Sequence, residues 1–223
     1  MEFKTTVDQS QKSFWNKGGI FRDYSHHIIR YFIQQRINYI QEYIPLSDIC
    51  SVLDIGCGNG AAAYYFSKLI PLTVAGDYAI DWQGFPLKSF HSLYFNAYQL
   101  PFKTNQFDMV YMWEVLHHLV DIDKAIKEAI RVSKKYVLIM EPNPLNPIQY
   151  IYSYIEKNHF LIRKCTRKKI IFALRENGCQ KIICKSGGLI FPNKVPQSIF
   201  NFLRYLPFKV PFVGITNIYI GYL

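Results

Sequence analysis

The chain has 223 residues, half of them hydrophobic and 17% aromatic, with a formal net charge of +10. Those values exclude a disordered or fibrous protein and fit one globular domain with a sizeable core. No apolar run approaches the roughly 20 residues that span a bilayer, and the polar first twenty residues, broken by Gly18-Gly19 after Phe14-Trp15, carry no secretory pattern.

Residues 24–44 place Ile28, Ile29, Phe32, Ile33, Ile37, Ile40 and Ile44 at helical spacing, and Pro45 stops that helix. Residues 50–55 predict a first strand, which runs through a glycine turn into a helix over 58–70. A second strand follows at 72–77. Residues 78–88 contain Gly84 and Pro86 and make a poor helix, so an irregular crossover is expected. Strands are predicted at 89–96 and 107–113, with Leu100-Pro101-Phe102 in the loop between them.

Asp121 can cap a helix that runs to about Val132 and carries Ile122, Ala125, Ile126, Ala129 and Ile130 on one face. A fifth strand at 136–141 ends in the proline-rich stretch 142–147. Helical spacing returns at 167–177 with Gly178 as the C-terminal stop, and 180–185 reads as a sixth strand. Residues 191–214 hold four prolines around the apolar run 199–206, and 215–223 closes with a β-rich pattern. Strands alternating with helices predict an α/β fold: a doubly wound, mostly parallel seven-stranded sheet with helices on both faces.

The positive charge is uneven. Residues 1–160 hold equal numbers of basic and acidic side chains, whereas 161–223 hold 11 basic residues and one acid, Glu176. Such a skew fits a nucleic-acid, membrane-surface or anionic-substrate contact, or a plain solvated face. The five cysteines are odd in number and form no C-x-x-C pair, which predicts a reduced, cytoplasmic compartment and no metal site.

The stretch Val52-Leu53-Asp54-Ile55-Gly56-Cys57-Gly58-Asn59-Gly60 joins a buried strand to a helix through three glycines. Glycines let the backbone turn tightly and approach a ligand, and the helix start offers N–H groups to polar or anionic atoms. Read as Gly56-x-Gly58-x-x-Ala61, the turn also fits the dinucleotide fingerprint. Asp54 argues against that, because its carboxylate would repel a pyrophosphate and suits a ligand bearing positive charge. Asp77 ends the second strand, where a carboxylate can accept both hydroxyls of a ribose; NAD and S-adenosylmethionine sites share this feature.

The segments Asn96-Ala97-Tyr98-Gln99-Leu100-Pro101-Phe102, Phe107-Asp108-Met109-Val110, Glu114-Val115-Leu116-His117-His118-Leu119 and Ile130-Arg131-Val132 follow in order. Together with the glycine turn they resemble the class I S-adenosylmethionine-dependent methyltransferases, in the broad methyltransferase type 11 group that includes the ubiquinone and menaquinone C-methyltransferases. The resemblance covers about residues 50–142. It implies a Rossmann-like methyltransferase fold forming a single domain over 1–223. Within it, residues 1–47 would be a helical cover, 48–142 the cofactor core, and 143–223 late strands and substrate cover.

The resemblance further implies S-adenosylmethionine as cofactor. Asp54 and the backbone of Gly56, Cys57, Gly58, Asn59 and Gly60 would surround its methionine part. Asp77 would take the ribose hydroxyls and Tyr78 would pack on the adenine. Asn96 and Ala97 stand where the family has an Asp-Ala pair near the adenine amine, and the Asn oxygen can still accept. Trp113 would fall beside the sulfonium. The family's Lys-Pro-Gly-Gly turn is replaced by Lys134-Lys135-Tyr136, which predicts a shortened connection before the fifth strand.

His118 is the candidate catalytic base, with Glu114, Tyr24 and Glu141 behind it. Methyl transfer needs mainly proximity and alignment, so a structural role for the histidine is the competing reading. The acceptor side maps to 24–44, 142–160 and 191–214, where Tyr150, Tyr152, Tyr154 and Phe160 suit a flat or apolar molecule. The expected acceptor is a small molecule, lipid-like or from a glycan pathway. Peripheral membrane or anionic-lipid contact through 161–210 is a further expectation, from the cluster 163–169 and the run 199–206. An RNA methyltransferase and a cofactor-binding protein without transfer activity are the alternatives; no DNA contact is expected, and an NAD oxidoreductase fits less well.

Overall fold

The computed structural model describes residues 22–78, 89–155 and 162–223. Phe14-Trp15, Gly18-Gly19, the crossover at 79–88, Phe160 and the Tyr152 side chain lie outside the described residues. The elements in order are α1 (His27–Ile40), β1 (Ser51–Ile55), α2 (Ala61–Phe66), β2 (Leu72–Asp77), β3 (His91–Tyr94), β4 (Phe107–Trp113), α3 (Ile122–Val132), β5 (Ser133–Pro142), α4 (Pro147–Ile155), α5 (Arg167–Glu176), β6 (Lys181–Gly187), α6 (Gln197–Leu203) and β7 (Thr216–Tyr222).

The seven strands form one sheet in the order β3-β2-β1-β4-β5-β7-β6. Pairings from β3 across to β5 are parallel, and β7 runs antiparallel to both β5 and β6. The strand order reverses between β1 and β4, and the carboxyl ends of strands at such a point form a natural ligand crevice. Strands buried on both faces need apolar residues at successive positions, and β1 and β4 supply them. Val52, Met109 and Tyr111 pack on one side with α1 and α2, while Leu53, Ile55, Val110 and Met112 pack on the other with α3 and α5.

Four elements differ from the sequence expectation, one of them α6, which forms where the sequence predicts only an apolar run between prolines. Helix α2 covers Ala61–Phe66 instead of 58–70 because Gly60 sits at φ +68, outside helical geometry, and caps it. Strand β5 starts at Ser133, the residue that also caps α3, so helix and strand join with no loop between them. The family's turn is thus not merely shortened but gone. Helix α4 was not anticipated. Asn146 Oδ1 accepts the Gln149 N–H at 3.0 Å, and Pro147 occupies the first helical position, where its missing donor is harmless. Among the described residues no helix is long and apolar enough to cross a membrane.

Glu141, fully buried near the end of β5, fixes how the chain leaves β4. Its Oε1 accepts the N–H groups of Val115 (2.9 Å) and Leu116 (2.7 Å). Its Oε2 accepts the N–H of His117 (3.3 Å) and lies 2.7 Å from His117 Nδ1. Charge-assisted bonds of this kind are the strong ones, and their loss would strand buried donors. We therefore expect Glu141→Leu to lower unfolding free energy by about 3 kcal/mol or more, measured by urea denaturation.

Candidate functional site

Gly56, Gly58 and Gly60 all have positive φ, at +74°, +52° and +68°, so any side chain here would strain the backbone. The N–H groups of Gly56 and Cys57 both donate to the Gly76 carbonyl, at 2.8 and 3.1 Å, which folds the turn back onto β2. A Cβ on Gly56 would come within 2.2 Å of Val115 Cγ2. The turn is therefore closed from above by the segment that Glu141 holds.

A cleft of about 110 Å³ opens beside this turn, lined by Ile55, Gly56, Asp77, Tyr78, Phe95, Asn96, Ala97, Tyr98, Val115 and Leu119. Five of the residues singled out from sequence meet here: Gly56, Asp77, Tyr78, Asn96 and Ala97. Asp77 Oδ2 accepts the Gly58 N–H at 3.2 Å, which ties the end of β2 to the glycine turn. Tyr78 is 54% exposed at the rim. Asn96 Oδ1 accepts the Tyr98 N–H at 2.9 Å, so the oxygen expected to meet an adenine amine is engaged within its own turn. Tyr98, which sequence reasoning did not single out, shapes this wall through its hydroxyl, which accepts the N–H groups of Val120 (2.9 Å) and Asp121 (3.3 Å).

The remaining candidates do not line the cleft. Asp54 lies 1% exposed beneath the turn. The Tyr111 hydroxyl donates to its Oδ2 at 2.7 Å, while its Oδ1 is buried without a hydrogen-bond partner. Burial pushes the Asp54 carboxyl up to about 8, because a charge there is poorly solvated. Cys57 is buried, and its thiol is driven well above the usual range by the same cause. Asn59 Oδ1 accepts the Ala61 N–H at 3.2 Å and helps start α2.

Trp113 packs toward α1, its ring centroid 6.1 Å from that of Phe32. His118 lies with its ring centroid 4.0 Å from that of His117, and His117 is gripped by Glu141. Glu114 has φ +54°, uncommon for a residue with a side chain, and burial raises its carboxyl. Arg36 was missed altogether. It is fully buried, its Cζ 3.4 Å from the Phe32 ring centroid, and it donates to Thr216 Oγ1 at 2.8 Å. A lone arginine on an apolar helix stripe gives no sequence signal of such burial.

The raised Asp54 group has a pH consequence. Between its ordinary value of 3.8 and about 8, the folded chain keeps a proton that the unfolded chain has released. Its contribution to stability therefore falls as pH rises through that window. Asp54→Asn removes the titration, so the decline in urea midpoint from about pH 5 to about pH 8 should flatten; a profile as steep as that of the unaltered chain would contradict this.

Residues 53–139 match the family model described as a methyltransferase domain. An uncharacterized methyltransferase of Schizosaccharomyces pombe is 29% identical over 134 residues, covering 52% of this chain and 48% of that protein. The chain thus spans about half the length of this curated relative. Among solved structures, a SAM-dependent methyltransferase of Thermotoga maritima is similar with a TM-score of 0.67 at 16% identity, covering 87% of this chain and 90% of the other. One from Archaeoglobus fulgidus gives 0.63 at 18% identity, covering 86% and 94%. Residues 53–139 are thus similar to a methyltransferase domain, and the chain shares the Rossmann-like fold of the solved S-adenosylmethionine-dependent methyltransferases.

Proposed function

We propose that the protein is an S-adenosylmethionine-dependent methyltransferase acting in the cytoplasm on a small, lipid-like or glycan-pathway acceptor. The observation that carries this reading is the cleft at the sheet's switch point, where Asp77 stands beside the glycine turn inside the matched stretch 53–139. Among the described residues its lining includes one carboxylate and no basic side chain. That suits an adenosine ligand without phosphates and disfavours a pyrophosphate cofactor. The finer resemblance to the ubiquinone and menaquinone C-methyltransferases rests on the motif series 96–132 alone.

In this reading Asp77 holds the ribose hydroxyls, Tyr78 and Ala97 flank the adenine, and the turn from Gly56 to Gly60 faces the methionine part. Asp54, buried with an unpartnered oxygen beneath that turn, is drawn toward its ionised form by a cationic ligand group. The bound cofactor supplies an electrophilic methyl group on a sulfonium. What the chain adds is alignment and exclusion of water. His118 is read as positioning the segment after β4, since its neighbour His117 is fixed by Glu141.

Titration calorimetry with S-adenosylhomocysteine should give micromolar-range binding, weakened about tenfold to a hundredfold in Asp77→Ala. Absence of binding by the unaltered protein would overturn the cofactor assignment. Incubation of the protein with methyl-labelled cofactor and a cell extract separates a transferase, which yields a labelled small molecule, from a protein that only binds the cofactor.

A further inference from the structure

Helix α4 is built inside out. Its polar side chains are the buried ones: Gln149 is 6% exposed and Ser153 1%. Gln149 Nε2 donates to the Ile215 carbonyl at 3.3 Å, and Ser153 Oγ donates to the Tyr150 carbonyl at 2.6 Å. Its apolar side chains face outward, with Ile148, Ile151 and Ile155 between 58% and 73% exposed.

A second segment adds to this face. Asn143 Nδ2 donates to the carbonyls of Phe212 (2.6 Å) and Gly214 (2.8 Å), and Asn146 Nδ2 donates to that of Val213 (2.6 Å). These bonds tie the loop before β7 to the start of α4. Phe212, 68% exposed, is held there at φ +64°, a backbone geometry unfavourable for a bulky residue. An aromatic ring is thus presented outward by strained backbone, next to a helix that does the same with isoleucines. Apolar surface of this kind marks an interaction site.

The charge around it selects the occupant. The Arg163 guanidinium lies 4.1 Å from the Tyr154 ring centroid, and Lys164 is exposed beside it. The rings of Tyr150 and Tyr154 form an edge-to-face pair, with their hydroxyls 3.0 Å apart. Hydrocarbon-seeking side chains bordered by tyrosines and cations match a lipid surface bearing negative charge, which takes the first into its acyl boundary and the second at its headgroups.

We propose that α4 and the Phe212-Val213 loop dock this protein on an anionic lipid bilayer. Of the region expected from sequence, 161–210, the Arg163-Lys164 edge belongs to this surface. Helix α6 packs Phe200 against His27 and Tyr31 but also leaves Ile199 and Phe202, and Tyr205 just beyond it, exposed. Because α4 follows the carboxyl end of β5, the same end of the sheet as the cleft, the docked enzyme would take an acceptor held in the membrane; this last step rests on the methyltransferase reading, the docking itself does not.

The test is co-sedimentation of the full chain with vesicles of phosphatidylcholine, with and without phosphatidylglycerol. Binding should appear with phosphatidylglycerol and weaken with added salt. It should fall at least about tenfold in Phe212→Gly and in Ile151→Ser. Phe212→Gly relieves the backbone strain, so lost binding there cannot be assigned to misfolding. No sedimentation with anionic vesicles, or undiminished binding by both variants, would overturn the proposal. So would a concentration-dependent dimer in analytical ultracentrifugation that both variants abolish, since a second copy would then cover the face. Calorimetry with S-adenosylhomocysteine on the same samples keeps the two readings apart: vesicle binding without cofactor binding sinks only the enzymatic one.

Discussion

One buried carboxylate holds the site together. Glu141 reaches from β5 to three successive backbone N–H groups after β4 and to the His117 ring. That grip sets Val115 against Gly56, where no side chain larger than hydrogen fits. Gly56 in turn lies against the Gly76 carbonyl at the end of β2. The cleft is therefore the outcome of a chain of contacts running from β5 across β4 and β1 to β2. Each link requires a particular residue: an acceptor at Glu141, a small apolar contact at Val115, and glycine at position 56.

The charged groups inside the fold are treated in different ways. Glu141 is supplied with donors on both oxygens. Asp108 receives the N–H groups of Cys50 (2.9 Å) and Ser51 (3.2 Å), with Lys135 at 3.3 Å, and its carboxyl is held below the usual range despite partial burial. Asp54 has one donor, Tyr111, and burial dominates, so it sits near 8. Arg36 is pulled down to about 9 by burial, with Glu114 acting the other way. The well-supplied groups brace strands, and the poorly supplied ones lie around the glycine turn and the chain leaving β4. Groups left with few partners are those whose ionisation burial shifts most.

Much of the fold could be read from the chain because its signals are local. Val52 to Ile55, Phe107 to Trp113 and the three glycines announce strands and turn by composition alone. The prolines at 142–147 predict a break, although Asn146 followed by Pro147 is also a helix start; which meaning holds depends on the loop that Asn143 and Asn146 bind some 70 residues later. The site divides in the same way. Asp77, Tyr78, Asn96 and Ala97 stand at strand ends or in turns, where position along the chain fixes direction. Asp54 lies within a strand, so the pleat decides its direction, and it turns inward to Tyr111. Tyr98 and Arg36 act through partners distant in sequence, and nothing local marks them.

The direct passage from α3 into β5 at Ser133 leaves no loop between a helix and a central strand. Ser133 Oγ donates to the Tyr136 carbonyl at 2.7 Å and locks the joint. Side chains in β5 alternate between the two cores, Leu138 and Met140 on one side and Val137 and Ile139 on the other. The joint already holds one extra residue, since the register with β4 shifts between the Phe107–Ser133 and Met109–Tyr136 pairs. From Tyr136 onward the register is regular, and a one-residue slip beyond that point would exchange the two sets and turn Glu141 away from the N–H groups it binds. The length of this junction is therefore as much a part of the site as any side chain within it.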